Sequence, residues 1–156
     1  MEIKMKPIGF VHRSSDKEDV RDRSLVSRID IQRDLTDALD GLEDFSHLFV
    51  VLYLHQVPAK ETRTLKVHPR GRIDLPLLGV FSTRTASRPN PIGLTLVELL
   101  ERKENSLVVR GLDAFDGTPV LDLKPADSLD MAKNLRVPKW LKLLEKERQN
   151  RSVSKH

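Results

Sequence analysis

Apolar positions in this chain fall mostly into short runs separated by turn residues, a spacing that predicts strands more than amphipathic helices. Lys4 to His12 carries Ile8, Phe10 and Val11 after Pro7 and predicts a first strand; Leu25 to Ile31 alternates imperfectly through Val26, Ile29 and Ile31 and predicts a second. The continuous run LFVVLYL, Leu48 to Leu54, is β-rich and too short for a usual helix. It predicts a strand covered on both faces or closing a barrel. Shorter strands are expected at Thr64 to Val67 and Leu77 to Thr83. Ile92 to Leu100 sets Leu94, Leu96 and Glu98 on one face against Thr95, Val97 and Leu99 on the other. Turns at Glu104 to Ser106 and Asp116 to Thr118 then introduce strands Leu107 to Leu112 and Val120 to Leu123.

Two segments have helical spacing. Asp34 to Leu42 places Leu35, Ala38, Leu39 and Leu42 on one face, and Pro138 to Gln149 opens on a proline and carries Trp140, Leu141 and Leu144 as a stripe. Strands recurring at short intervals without strand-helix alternation predict a mainly β fold: a single-sheeted mixed β-barrel with one short internal helix and a short C-terminal helix. The 156 residues suit one domain, read as a barrel over 1–137 followed by a basic helix and tail over 138–156. The charged stretch Ser14 to Ser24 lacks periodicity and reads as a solvated loop.

Composition narrows the chemistry. There is no cysteine, which excludes disulfides, thiolate metal sites and cysteine nucleophiles. The 5 histidines have no metal-ligand spacing, so no metal is expected. The 27 Lys and Arg against 23 Asp and Glu give a net charge of +4, which permits a polyanionic partner without demanding one. No apolar stretch reaches membrane-spanning length and the N-terminus has no signal-peptide pattern, so the expected location is cytoplasmic, away from membranes. The 7 glycines never cluster, so GxGxxG and phosphate-loop motifs are absent, which argues against a conventional Rossmann-type methyltransferase or a kinase.

Two segments concentrate polar groups beside apolar strands. In GVFSTRTASRPNPIG, residues 79–93, Arg84 and Arg88 present planar donor forks from a proline-stiffened loop, and Asn90 sits between two prolines. A purely structural crossover with solvated arginines accounts for the same residues, and residue chemistry alone favours it. In GLDAFDGTPVLDLKP, residues 111–125, Asp113, Asp116 and Asp122 can accept hydrogen bonds or act as a base, although Asp116-Gly117 is also an ordinary turn pair. His55-Gln56, at the end of a buried strand, has the same two readings.

The strings IGFV, GLEDFSHLFVVLYLHQ, GVFSTRTASRPNPIGLTLVEL and LDAFDGTPVLDLKP, in order from about Ile8 to Pro125, resemble the TrmO (YaeB-like) family of tRNA methyltransferases. The resemblance implies a β-barrel that dimerises, binds S-adenosyl-L-methionine near the subunit boundary, and methylates threonylcarbamoyl-adenosine beside the tRNA anticodon. It implies cofactor contacts from His55, Gln56, Arg84 and Leu94, from Gly111, Leu112 and Asp113, and from an early-loop position at about Ser24 and Leu25. Asp113 or Asp116 is then the expected proton acceptor, with His55 as a rival. DLKPA stands where relatives have DIKPY, the early loop is highly charged, and the sequence ends in a basic helix where bacterial members continue into a further domain. Two other readings stay open: a module that binds or senses S-adenosyl-L-methionine without transferring its methyl, and an RNA-binding barrel without cofactor, which the 4% aromatic content disfavours.

Overall fold

The computed structural model describes residues 1–13 and 20–153. Most of the charged early loop, including residues 14–19, lies outside the described residues. Among the described residues eight strands form: β1 (Gly9–His12), β2 (Val26–Ile31), β3 (His47–Tyr53), β4 (Lys66–Val67), β5 (Leu78–Gly79), β6 (Ile92–Lys103), β7 (Ser106–Arg110) and β8 (Pro119–Pro125). Six close into a barrel in the order β1-β2-β7-β6-β3-β8, while β4 and β5 make a separate two-stranded sheet. Each pairing in the barrel is antiparallel, so the mixed barrel is antiparallel throughout its described strands.

Alternation decides what fills the interior. Val11, Ile29, Leu48, Val50, Leu52, Val97, Leu107, Val109 and Val120 are fully or almost fully buried in one apolar cluster. Closure of the run 48–54 into β3 is the barrel-closing alternative: its odd positions, from His47 to Tyr53, face outward. Gly9 is required by close approach, since a Cβ there would stand 2.3 Å from the Asp30 carbonyl oxygen of the paired strand. The β6–β7 hairpin turns through Glu104 at φ 49°, and the Asn105 side chain donates to the Ile31 carbonyl on β2.

The internal helix differs from an α-helix in detail. It is a 3-10 helix over Arg33–Leu39, followed by a second 3-10 turn over Leu42–Asp44. Asp40 is extended and Gly41 is left-handed at φ 84°, which breaks the run while leaving Leu39 buried in the core and Leu35 and Leu42 packed against it. The expected strand 77–83 shortens to β5 because its only partner is the two-residue β4; Val80–Ser82 instead winds into a 3-10 turn held by the Val80 N–H donating to Leu65 O at 3.0 Å. The C-terminal helix α1 spans Lys139–Val153. Leu144 is buried outside the barrel cluster, as are Leu75 and Val80 of the long β3–β6 connection, and Arg72 of that connection pairs with Glu147 of α1.

Candidate functional site

Antiparallel closure sends alternate strand ends to opposite mouths of the barrel. One mouth collects the end of β1, the approach to β2, the exit of β3, the entry to β6, the exit of β7 and the entry to β8. Every candidate residue lies at this mouth: Ser24 and Leu25 before β2, His55 and Gln56 after β3, Arg84 in the loop before β6, Leu94 near its start, and Gly111, Leu112, Asp113 and Asp116 between β7 and β8.

β6 runs past the end of β7 here, because Arg110 already pairs with Glu98 and leaves the stretch from Ile92 to Val97 without a strand on that side. Arginines occupy the exposed carbonyls. Arg84 donates through Nη2 to Leu94 O at 2.6 Å, and Arg23 donates through Nη1 to Leu96 O at 3.3 Å and to Gly111 O at 2.8 Å. Gly111 turns the chain away from β7 at φ 90° and donates its N–H to Leu25 O at 3.0 Å, which ties the β7–β8 loop to the early loop.

That loop then crosses the mouth. Asp113 Oδ1 accepts from the Thr95 hydroxyl of β6, whose residue is buried on the inward face. Ala114 O accepts from Arg13 Nη1 at 3.2 Å, and Asp116 Oδ1 accepts from the Arg13 N–H at 2.8 Å. Asp113 and Asp116 are therefore separated in role: one is anchored to β6, the other to the end of β1. Asp122 accepts from the Leu123 N–H and pairs with Lys124 on β8, away from this arrangement.

Hydrogen bonds tie Leu25 to Gly111, Arg84 to Leu94 and Asp113 to the neighbouring Thr95, with Arg23 joining β6 to Gly111, and Leu112 is buried beside them. Ser24 itself bonds Asp22, its Oγ donating at 2.7 Å. His55 and Gln56 lie exposed beyond β3, and among the described residues no side-chain hydrogen bond ties them to these groups. Arg88 donates weakly to Thr85 O at 3.5 Å, within its own loop. Phe81 is 80% exposed. Sequence reasoning missed Arg23, Thr95 and Arg13. A threonine among inward Leu and Val was a visible signal for Thr95, whereas nothing in a charged run singles out Arg23.

The outer face beside this mouth is apolar. Phe49 pairs with Leu96, Val51 with Leu94 and Tyr53 with Ile92, and four of these six outward residues, Tyr53, Ile92, Leu94 and Leu96, are 45%, 37%, 50% and 43% exposed. A cleft of about 350 Å³ beside them is lined by Arg23, His47, Leu96, Glu98, Arg110, Gly111 and Arg148 of α1, with Arg110 bonded to Glu98 at 2.7 Å.

The sequence profile of the tRNA-methyltransferase O N-terminal domain matches residues 17–130. The chain belongs to the TrmO family. It is 50% identical over 130 residues to a protein of Methanothermobacter thermautotrophicus named as a probable S-adenosyl-L-methionine-binding protein, covering 80% of this chain and 90% of the relative. It is 42% identical over 105 residues to a Pseudomonas aeruginosa protein named as a putative S-adenosylmethionine-dependent methyltransferase, RcsF, covering 65% of this chain and 45% of that one. Among solved structures, a TrmO crystal structure superposes with a TM-score of 0.71 at 31% identity, over 88% of this chain and 64% of the other. TrmO from Pseudomonas aeruginosa superposes at 0.68 and 29% identity, over 87% and 62%. The chain thus spans 62% to 64% of the length of these TrmO chains.

Proposed function

We propose that this TrmO-family chain is an S-adenosyl-L-methionine-dependent methyltransferase that acts on the side-chain-bearing exocyclic nitrogen of threonylcarbamoyl-adenosine beside the tRNA anticodon. The observation that carries this reading is the framework at one barrel mouth, in which Arg84 and Asp113 are each held by one bond to β6 and keep polar atoms to spare. Such a pair suits the cofactor's amino-acid end: a guanidinium for its carboxylate, a carboxylate for its amine or the ribose hydroxyls. The half-exposed Leu94 beside them offers an apolar surface to adenine.

The bound cofactor supplies an electrophilic methyl on a sulfonium. The protein's work is then to align the acceptor nitrogen, exclude water and take up a proton. Asp113 is our choice for the acceptor of that proton, because the Thr95 bond fixes its carboxylate on β6, the strand that also carries Leu94 and receives Arg84, whereas Asp116 sits at the end of β1 with Arg13 and His12. His55, Gln56, Ser24, Leu25, Gly111 and Leu112 complete the proposed cofactor contacts.

The chain would act as a homodimer in the cytoplasm. The apolar rows of β3 and β6 flank the mouth and suit a second copy, which would enclose the cofactor between subunits. Residues 1–137 then form the cofactor-binding barrel. The basic helix α1, whose Arg148 lines the same cleft as Arg23 and Arg110, would then face the RNA backbone, the role we give to the basic segment 138–156.

Incubation with the cofactor and with tRNA carrying threonylcarbamoyl-adenosine, followed by mass spectrometry of the nucleosides, should yield that nucleoside heavier by one methyl. Asp113→Asn should retain cofactor binding and lose most of the transfer rate. Cofactor binding with no methyl transferred to any tRNA would instead identify a binding or sensing module.

A further inference from the structure

The cleft of about 350 Å³ beside the apolar rows is lined by guanidiniums from three separate elements: Arg23 of the early loop, Arg110 at the end of β7 and Arg148 of α1. The cofactor contacts proposed above use none of them. The carboxylate in its lining, Glu98, is bonded to Arg110 at 2.7 Å.

Strand register brings the first two together. Glu98 of β6 lies opposite His47 of β3 on one side and Arg110 of β7 on the other, so these three form a row across the outer face. Two residues nearer the mouth β7 has ended, and Leu96 stands 43% exposed. Arg23 reaches into that gap. Its bonds to Leu96 O and Gly111 O both go through Nη1, which leaves Nε and Nη2 as donors.

α1 supplies the third guanidinium. Leu144 is 2% exposed and Glu147 pairs with Arg72 of the β3–β6 connection at 2.5 Å, so this part of the helix is docked on the protein. Arg148 follows Leu144 by one turn on the same side of the helix. It is exposed and has no hydrogen bond or ion pair among the described residues.

The balance of charge differs from that of a structural ion pair. At the opposite mouth one guanidinium, Arg102, meets two carboxylates, Asp40 and Glu43. Here three guanidiniums share one carboxylate, and the excess positive charge has no counterpart in the lining. Planar donor forks on several sides suit a phosphodiester, whose two free oxygens accept from them, and Leu96 offers the adjoining ribose or base an apolar surface. Gly111 lines this cleft and also belongs to the proposed cofactor contacts, so an anion held here would lie beside the transfer site.

We propose that this cleft is a phosphodiester subsite, in which Arg23, Arg110 and Arg148 hold one backbone phosphate of the RNA near the nucleotide that receives the methyl. It deepens the transfer reading above and rests on it only for which RNA is bound.

The test is binding of an anticodon stem-loop RNA, followed by fluorescence anisotropy over a range of salt, with no methyl transfer required. Arg148→Ala and Arg110→Ala remove exposed side chains from two elements, and Lys103→Ala removes the same charge from the far end of β6, at the opposite mouth. Arg148→Ala should weaken binding about tenfold, the scale of one lost hydrogen bond to a charged group, and Arg148→Lys should recover part of the loss. The slope of log affinity against log salt should fall by about 0.7, the share of one phosphate on a single strand. Arg110→Ala should act alike, and the double variant should lose no further slope, because both arginines hold the same phosphate. Lys103→Ala should change neither quantity, and calorimetric titration of S-adenosyl-L-methionine should give the same affinity for Arg148→Ala as for the wild type. Equal losses from Lys103→Ala would reveal a diffuse cationic surface and overturn the proposal, as would RNA binding indifferent to Arg148, or a loss of cofactor affinity in Arg148→Ala. If RNA binds in an Arg148-dependent way while no methyl reaches threonylcarbamoyl-adenosine in tRNA, the subsite stands and the assigned acceptor falls.

Discussion

The two mouths of this barrel are built from the same strands and differ in how their polar groups are spent. At the mouth opposite the candidate site, Arg102 of β6 is mostly buried and bridges two carboxylates, Asp40 at 2.9 Å and Glu43 at 3.0 Å, on the 3-10 segments whose Leu35, Leu39 and Leu42 plug the core. Guanidinium meets carboxylate, and apolar side chains fill the end. At the site mouth, Arg84 and Arg23 bond main-chain carbonyls, Asp113 bonds a hydroxyl, and Arg13 and Ser27 keep unused donors. One end is closed for stability; the other holds charge that its own fold does not neutralise, which is the usual condition of a binding site.

The contrast can be broken most forcefully at the closed end. Leu39→Ala removes a side chain that is 4% exposed in the core cluster and should lower stability by about 2–5 kcal/mol in chemical denaturation, while cofactor affinity of the folded fraction stays unchanged. At the open end the order should invert. Arg84→Ala should weaken S-adenosyl-L-methionine binding by about 1.5–3 kcal/mol in calorimetric titration, the range for a lost bond to a charged group, and leave the unfolding midpoint nearly in place. An equal loss of stability in both variants would erase the distinction between the mouths.

Gly111→Ala probes the hinge between strand and site. At φ 90° an alanine is strained, and its Cβ would stand 3.4 Å from Arg23 O, so a loss of about 1–2 kcal/mol is expected together with weaker cofactor binding. Stability lost with affinity intact would show that the Arg23–Gly111 junction is architectural only.

The smallest effect is electrostatic and belongs to the closed end. The Glu43 carboxyl is held below its ordinary range, first by its own backbone N–H and then by Arg102. A depressed carboxylate contributes stability above its unfolded value and loses it as pH falls through the folded one. Acid titration of the wild type should therefore show a loss below the usual glutamate range that is shallower in Glu43→Gln. Because the group is exposed, the difference should be small and should shrink further in salt.

The barrel itself was readable from short-range pattern. Thr95 and Val97 inward against Leu94 and Leu96 outward follows from strand periodicity alone, and the β7 and β8 segments follow from turn residues. Their limits were less readable. The run 77–83 has strand composition, yet β5 ends at Gly79 because a strand extends only as far as its partner, and β4 has two residues. The internal helix had the right leucines at the right spacing, but Asp40 and Gly41 divide it, since the three leucines are held by the barrel end and not by a continuous helical ladder.

The same division runs through the site. Sequence by itself determined which groups were available: two arginines in a stiffened loop, aspartates around a turn, a histidine and glutamine ending a strand, and motifs dense enough to name a family. Only the tertiary structure decided that they share one mouth, that Asp113 answers to Thr95 and Asp116 to Arg13, and that a serine on β2 lies buried with nothing to bond. Alternation and turn chemistry act over a few residues and are written locally. Barrel closure and hydrogen-bond satisfaction join residues 18 apart in the Thr95–Asp113 bond and 103 apart in the Arg13–Asp116 bond, and no local pattern records them.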